Sequence, residues 1–110
     1  MKKVALPIVN NQMSPHFEQC SAFYIYTIED ENNLKRDLVD THLQPGLFPY
    51  LLAKKGVTDV ITRGIDINAV IKFNQFKINV FAGVKSFDPE QLVEEFLNGT
   101  LETSESLVDI

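Results

Sequence analysis

The stretch VTDVITRGIDINAVIKFNQFKINVFA, residues 57–82, decides the fold class of this 110-residue chain. It begins and ends with short apolar runs, 57–62 and 78–82, of the kind that form buried strands. Between them, apolar residues recur at helical spacing behind Asp66, a residue type that caps helix N-termini. The order strand, helix, strand predicts a βαβ unit, whose right-handed crossover requires its two strands to run parallel.

The residues before this unit predict a central strand, a hairpin and a helix. Residues 3–9 are apolar and are followed by two asparagines, as is typical of a short buried strand. Residues 22–28 are rich in aromatic and β-branched types, and a polar cluster separates them from a second extended run, 34–43. These two runs are expected to pair as antiparallel strands. A helix is predicted from Phe48 to the residues before Gly56, which suits a left-handed cap.

The last predicted helix has the clearest boundaries. Asp88 is expected as its N-cap, and Gln91 is placed to complete a capping box. The resulting element order, β-β-β-α-β-α-β-α, indicates an α/β domain with a mixed five-stranded sheet. This single domain is predicted over residues 1–101, and residues 102–110 are predicted to be a loosely attached acidic tail.

Composition limits the classes of function. With 45% hydrophobic residues the chain can bury a core of its own. Its formal net charge of -5 works against binding to phosphate backbones, so nucleic acid is not expected as a partner. A single cysteine cannot form an intramolecular disulfide, and the apolar run 4–9 is too short for a signal peptide or a membrane span. We therefore expect a cytoplasmic protein with no membrane partner.

Topology predicts where a ligand would bind. In open α/β sheets, ligands bind at the carboxyl ends of the strands, near the point where the strand order reverses. The loops expected to meet at that edge are 10–21, 42–46, 63–68 and 83–86. A ligand site is therefore predicted among these four loops.

The first of these loops holds the strongest candidates for metal ligands. His16 and Cys20 are one of two histidines and the only cysteine, and His42 lies in the next loop at the same edge. Such a mixed nitrogen and sulfur set suits zinc, iron or a metal-sulfur cluster. Alternatively, Cys20 is a small buried hydrophobe and His16 a loop histidine bonded to backbone. Met13 is a candidate for cofactor binding, either as a flexible wall of the pocket, which is the favoured role, or as a soft ligand.

Three polar residues at the same edge are candidates for cofactor binding. Arg63 and Lys85 each follow a predicted parallel strand, where a cation and nearby helix N-termini could hold an anion. Asn10 begins the first loop and is the third candidate. The alternative is that Arg63 and Lys85 are ordinary solvated surface charges.

Catalysis has little support in the sequence. The chain contains no Gly-x-Ser-x-Gly elbow, no phosphate-binding Gly-rich loop and no Cys-x-x-Cys pair. A metal-dependent nuclease would need carboxylates on the first strand to hold two cations, and residues 3–9 contain none. Asp66 is expected to be a helix cap, and Glu18 an exposed loop acid. We therefore predict that the protein is not an enzyme.

Three short motifs resemble a known family. They are SPHF at residues 14–17, followed by Cys20, then GVTDVI at 56–61 and FLNGTL at 96–101. Together they are similar to the dinitrogenase iron-molybdenum cofactor biosynthesis family over most of residues 1–101. The resemblance implies a ribonuclease H-like α/β/α fold without nuclease activity, in a family whose members bind or carry iron-sulfur-based precursors of the nitrogenase cofactor. This chain has Glu18 where the family usually has glycine.

The resemblance and the candidate residues together predict a function. We expect a non-enzymatic binding or carrier protein for an iron-sulfur or iron-molybdenum type cluster or its precursor, with cofactor-assembly proteins as partners and a link to nitrogen fixation. His16 and Cys20 would be ligands, His42 a third, and Arg63 and Lys85 would balance the cluster's negative charge. The alternative is a metal-free binding or regulatory module whose same edge accepts a small anionic ligand or a protein partner.

Overall fold

Eight strands and three α-helices are formed in the part of the chain that the structure, a computed structural model, describes: residues 1–30 and 32–104, and the backbone of 108–109. The strands are β1 (Lys2–Val9), β2 (Gln12–Met13), β3 (Ala22–Asp30), β4 (Asn33–Asp40), β5 (Asp59–Ile61), β6 (Ile65–Asp66), β7 (Asn79–Phe81) and β8 (Val108–Asp109). The helices are α1 (Phe48–Lys54), α2 (Ile67–Gln75) and α3 (Pro89–Asn98). Within these residues no helix is long and apolar enough to cross a membrane.

The main sheet has the strand order β4-β3-β1-β5-β7. The pairs β1/β3 and β3/β4 are antiparallel, whereas β1/β5 and β5/β7 are parallel. The predicted hairpin and βαβ unit are thereby confirmed. The carboxyl ends of β1, β4, β5 and β7 share one edge of the sheet, called here the carboxyl edge, and the opposite side is the amino edge.

The three two-residue strands were absent from the sequence prediction. β2 folds back on the end of β1, and β6 pairs in parallel with β8 outside the main sheet. Such short pairs leave no hydrophobic period to read, because two residues cannot show an alternation. The predicted run 34–43 also ends earlier, at Asp40.

Two hydrophobic clusters lie on opposite faces of the sheet. One contains Leu52 of α1 and Phe73 of α2, and the other contains Leu92 and Val93 of α3. β1 contributes to both, because alternate residues of a strand point to opposite faces. The α/β class with three layers is confirmed, and the ribonuclease H-like label stays a prediction.

The start of α3 confirms the cap but not the capping box. The Asp88 carboxylate accepts hydrogen bonds from the backbone N–H groups of Glu90 (3.1 Å) and Gln91 (3.4 Å). The Gln91 side chain, however, donates to Glu95 Oε2 (3.0 Å) rather than accepting from Asp88. The Asp88 N–H instead donates to Ser86 Oγ at 3.0 Å. Ser86, which precedes the helix, therefore provides the acceptor that the capping box had assigned to Gln91.

The tail is hydrogen-bonded to the rest of the molecule at two described points, whereas the sequence predicted loose attachment. Ser104 N donates to Ala82 O at 2.9 Å, and β8 pairs with β6. Gly83 has a φ of +78°, and a Cβ at that position would lie 1.9 Å from Ser104 O. A glycine is therefore required where the tail crosses the end of β7. Residues 105–107 and 110 lie outside the described residues.

Candidate functional site

Hydrogen bonds tie the loop 14–20 to the end of β5. Phe17 N donates to Gly64 O at 2.8 Å, and Gly64 N donates to Pro15 O at 3.0 Å. Ser14 is fully buried, and its hydroxyl donates to His16 O at 2.6 Å. Two of the predicted ligand loops are therefore fixed to each other at the carboxyl edge. The bonds to Gly64 and the local bond from the Ser14 hydroxyl hold the backbone on both sides of His16. The fold therefore fixes the position of His16.

Phe17 anchors this loop in the core. Its ring is fully buried, with centroids 5.4–6.0 Å from the rings of Phe23, Phe48 and Phe73. Interlocking aromatic rings of this kind contribute both buried area and ring-edge contacts. Ser14 and Phe17 are therefore the structural residues of the SPHF motif. They hold the loop so that His16 lies partly exposed.

His16 and Glu18 form the central polar contact of the site. His16 Nδ1 lies 2.8 Å from Glu18 Oε1, and their side chains are 25% and 21% exposed. Glu18 Oε1 also accepts a hydrogen bond from Asp66 N at 3.1 Å. Burial raises the pKa of Glu18, while the Asp66 hydrogen bond and the charge of His16 oppose that rise. The prediction that Glu18 is an exposed loop acid is therefore wrong.

The His16–Glu18 contact depends on a local change of backbone conformation. His16 is extended, with φ -140° and ψ 137°, and directly precedes a 3-10 helix over Phe17–Gln19. Such a change within three residues has no periodic signal in the sequence, so the spacing of the two residues did not reveal the contact. The bond to Asp66 N spans 48 residues of sequence and had no local signal.

Asp66 serves both loops of the site. Its side chain caps α2 by accepting from Asn68 N at 2.8 Å, as the sequence predicted. Its backbone N–H binds Glu18. Glu18 and Asp66 also line a groove of about 530 Å³ whose other walls are residues of α2 and the segment that contains Pro45 and Gly46. The site therefore opens onto a space large enough for a small ligand.

Cys20 is not brought into this site. Its residue is 7% exposed and belongs to the hydrophobic cluster on the α1 and α2 face. Burial raises the pKa of the Cys20 thiol to about 12. Since metal ligation requires the thiolate, the buried and protonated thiol is a poor ligand at neutral pH. The structure thus favours the alternative in which Cys20 is a small core residue.

Arg63 holds the 84–87 segment in place. Its guanidinium lies over the Phe87 ring, 3.8 Å from the centroid, and Nη1 donates to Val84 O at 3.2 Å and also to Lys85 O. Gly83 N donates back to Arg63 O at 2.8 Å. Arg63 is therefore a bridge between two edge loops, and part of its donor capacity is used within the protein.

The other predicted residues are dispersed around the edge. Asn10 is exposed in a turn with φ +52°, and His42 and Lys85 are exposed. Met13 is buried in the α3-face cluster, and its N–H donates to Phe87 O at 2.9 Å. Over residues 1–30 and 32–104, no three His, Cys, Asp or Glu side chains converge to hold a metal ion. The three predicted metal ligands do not form one cluster.

The fold and the site define a class of protein: a small three-layer α/β domain with a ligand edge built from loops that bind one another. Within that class, the chain belongs to the dinitrogenase iron-molybdenum cofactor family, whose profile matches residues 1–99. The match confirms the family that the SPHF, GVTDVI and FLNGTL motifs indicated.

Individual proteins are similar to this chain in sequence or in fold. The uncharacterized protein MJ0580 of Methanocaldococcus jannaschii is 33% identical over 112 residues, covering 96% of this chain and 93% of that protein. The crystal structure of PH0822 is 26% identical and superimposes with a TM-score of 0.83, covering 96% of each chain. A candidate dinitrogenase from M. jannaschii, 24% identical over 94% of each chain, shares the fold with a TM-score of 0.78.

Proposed function

We propose that this protein is a non-enzymatic binding or carrier protein for an iron-sulfur or iron-molybdenum type cluster, or its precursor. The cargo would bind at the carboxyl edge, beside His16. Family membership supports this class of cargo, because the family is named for the iron-molybdenum cofactor of dinitrogenase. A cytoplasmic location and transfer partners among cofactor-assembly proteins belong to the same proposal.

The contact between His16 and Glu18 carries the proposal. A histidine that ligates a metal through one ring nitrogen usually donates its other N–H to a carboxylate, which fixes the ring and raises its basicity. Here Nδ1 lies 2.8 Å from Glu18 Oε1, so a ring that carries its proton on Nδ1 would offer Nε2 to a metal. Glu18 is held in turn by Asp66 N. The pair supports the proposal because it has the composition of a ligand histidine with its supporting carboxylate.

The donor set suits a preassembled cluster better than a bare ion. A bare zinc or iron ion needs three or four protein ligands, and the described residues do not bring three together. A cluster that carries its own sulfide can bind through one imidazole and be neutralised by nearby cations. Arg63 and Lys85 lie on the neighbouring edge loops, and Lys85 is exposed. Cys20 has no part in this arrangement, because its thiol is in the core.

The position of the sheet's buried carboxylate supports a non-enzymatic role. Asp59 is 1% exposed and lies at the start of β5, on the amino edge. Its oxygens accept from Thr58 Oγ1 at 2.7 Å and Asn79 Nδ2 at 3.0 Å. A carboxylate bonded in this way on the far side of the sheet cannot hold catalytic cations at the ligand edge.

Anaerobic reconstitution tests the proposal. Purified protein is given a cluster preassembled from ferric iron, sulfide and excess thiol, which reduces part of the iron, with and without molybdate. The protein is then desalted and measured by visible absorption and metal analysis. The wild type and Cys20→Ala should retain a cluster, and His16→Ala should lose most of it. His42→Ala, which removes an exposed histidine from the same edge, is the matched control and should retain it. No retention by the wild type, or equal retention by His16→Ala, contradicts the proposal.

A metal-free anionic ligand is the second candidate. The observation in its favour is that Cys20 is buried while Lys85 is exposed at the same edge, which favours charge recognition over thiolate ligation. Thermal shifts with phosphate and dicarboxylate compounds, in the presence of a chelator, measure such binding. A shift that Lys85→Ala abolishes, together with no cluster retention, would replace the first candidate with this one.

A further inference from the structure

The edge strand β4 presents an unusually exposed surface. It covers Asn33–Asp40 and pairs with β3 on one side only, and among the described residues no strand covers its other side. Seven of its eight residues are exposed, including Leu34 and Leu38 at 45% and 63%. An edge strand of this length carries a row of backbone donors and acceptors that can pair with another strand.

The sequence of β4 is nearly symmetric in its chemistry. Around Arg36 it reads Leu34-Lys35-Arg36-Asp37-Leu38, with a leucine at each end and opposite charges on the two sides of the centre. If β4 pairs antiparallel with β4 of a second copy around a two-fold axis at Arg36, Leu34 faces Leu38 of the partner subunit. Lys35 then faces Asp37 of the partner subunit. Both pairs occur twice, since the arrangement is symmetric.

The faces of the strand are consistent with this pairing. Directly opposed residues in an antiparallel pair lie on the same face of the sheet. Leu34 and Leu38 pair with Ile28 and Tyr24 of β3 and share the α3 face, while Lys35 and Asp37 point to the other face. The leucines therefore meet leucines, and the opposite charges meet each other.

Neighbouring registers are disfavoured by charge. An axis at Asp37 would place that carboxylate opposite its own copy, and an axis at Lys35 would do the same with two ammonium groups, both destabilising. Arg36 at the axis is compensated within its own chain. Its guanidinium lies over the Tyr24 ring, 4.5 Å from the centroid, and Nη1 is 3.8 Å from Glu90 Oε1.

The α3 side of β4 supplies apolar contact area. A groove of about 500 Å³ lies between β4 and α3, and its apolar lining includes Tyr26, Leu34, Val93 and Leu97. The partner subunit's Leu38 would lie opposite Leu34, at the side of this groove. Five paired residues give a small interface, so a concentration-dependent dimer is expected rather than an obligate one.

We propose that β4 is a self-association edge, at which two copies of this chain form a weak two-fold dimer with one continuous sheet. The surface, Leu34–Leu38, contains none of the residues proposed to hold the cargo. The dimer therefore stands or falls independently of cluster binding.

A charge exchange tests the register. Sedimentation velocity over micromolar to millimolar protein should show reversible dimerisation of the wild type. Lys35→Asp and Asp37→Lys each place like charges opposite each other and should shift the dimer dissociation constant at least tenfold towards monomer. The double exchange Lys35→Asp, Asp37→Lys restores both pairs and should restore dimerisation. Circular dichroism of each variant verifies the fold.

Two outcomes would overturn the proposal. One is a wild type that stays monomeric across the series. The other is a double exchange that fails to recover the association lost by the single variants, which would mean that the two positions do not face each other. Net charge alone cannot explain a loss of association in both single exchanges, because Lys35→Asp makes the chain more negative and Asp37→Lys makes it less negative.

Cross-linking provides a second measurement. Arg36→Cys places one thiol of each copy at the axis, where diamide can oxidise the two to a disulfide, with both electrons and protons passing to the diamide. Asp40→Cys is the matched control, exposed on the same strand but far from its own copy in this register. A cross-linked dimer of Arg36→Cys alone supports the register, and equal cross-linking of both variants contradicts it.

Discussion

The two edges of the sheet each hold a shielded carboxylate, and the two are arranged differently. At the amino edge, Asp59 is 1% exposed and is bonded by neutral groups, the Thr58 hydroxyl and the Asn79 amide. At the carboxyl edge, Glu18 is partly exposed and contacts a titratable ring, His16. A carboxylate bonded by neutral neighbours in the interior stabilises the fold, whereas one that orients an imidazole at the surface prepares a ligand. The difference distinguishes a structural edge from the proposed binding edge.

The largest effect on stability is expected from Phe17, the residue that anchors the proposed binding loop in the core. Phe17→Ala should lower the free energy of unfolding by about 4 kcal/mol, because it removes a fully buried ring from contact with three others. Phe76→Ala, at a residue that is 39% exposed, is the control and should cost about 2 kcal/mol or less. Urea denaturation measures both. Similar losses for the two variants would show that the loop is not anchored by this ring.

The second-largest effect on stability is expected from removal of the two carboxylates, Asp59 and Glu18, which should destabilise the protein to different extents. Asp59→Ala is expected to cost about 2 kcal/mol of unfolding free energy, because it removes a buried carboxylate that accepts from the half-buried Thr58 hydroxyl and the exposed Asn79 amide. Glu18→Ala should cost about 1 kcal/mol or less, since its contacts are partly solvated. Urea titrations of the two variants under the same conditions compare them directly. A larger loss for Glu18→Ala would reverse the assignment of the edges.

Cluster retention should depend more on Glu18 than on Asp59, the reverse of the order expected for unfolding free energy. Glu18→Ala is expected to weaken cluster retention about 10-fold to 100-fold, the usual effect of removing the carboxylate that supports a ligand histidine. Glu18→Gln keeps an acceptor oxygen for His16 and should restore part of the loss. Asp59→Asn, on the other edge, should leave retention unchanged. Equal retention by Glu18→Ala and the wild type would remove Glu18 from the site.

The smallest effect concerns Cys20 and alkaline pH. Burial raises the pKa of its thiol from 9.0 to about 12, so the folded state holds its proton where the unfolded chain has lost it. Stability from this group is fully present below pH 9.0 and is lost as pH rises towards 12. Between about pH 8 and about pH 10, the wild type should lose about 1.4 kcal/mol more than Cys20→Ala. Burial also raises the pKa of Tyr26, so the unfolding free energy of both proteins should fall with rising alkaline pH.

The result for Cys20 depends on its position in the core. Denaturant titrations at the two pH values give the difference in unfolding free energy. Identical pH dependence in the wild type and Cys20→Ala would mean that the thiol is solvated. The cysteine would then be available as a ligand, and the contrast between the buried thiol and the surface imidazole would fail.

Much of the fold could be predicted because its signals are local. Apolar periods and caps such as Asp66 and Asp88 act within one turn or strand, and the direction of each parallel strand follows from crossover handedness. The motif at 14–17 also indicated the family, which the profile over residues 1–99 confirms. The direction of the Cys20 side chain could not be predicted. In extended backbone, a shift of one residue exchanges the side chains that face the core and the solvent.

The missing parts of the site depend on contacts between distant residues. Glu18 is fixed by Asp66 N, 48 residues away, and Arg63 reaches across to Val84 O, 21 residues away. The tail likewise returns to Ala82 through Ser104. No local pattern encodes such partners, since each depends on the packing of complete elements. Pairing of β6 with β8 was missed for the same reason.

The most direct measurement of the central claim is nitrogen coupling at the reconstituted cluster. After reduction to a paramagnetic state, electron spin echo envelope modulation reports whether an imidazole nitrogen is bound to the metal. The account predicts imidazole coupling in the wild type and Cys20→Ala, and its loss in His16→Ala. A wild-type cluster without nitrogen coupling, or coupling that persists in His16→Ala, would contradict it.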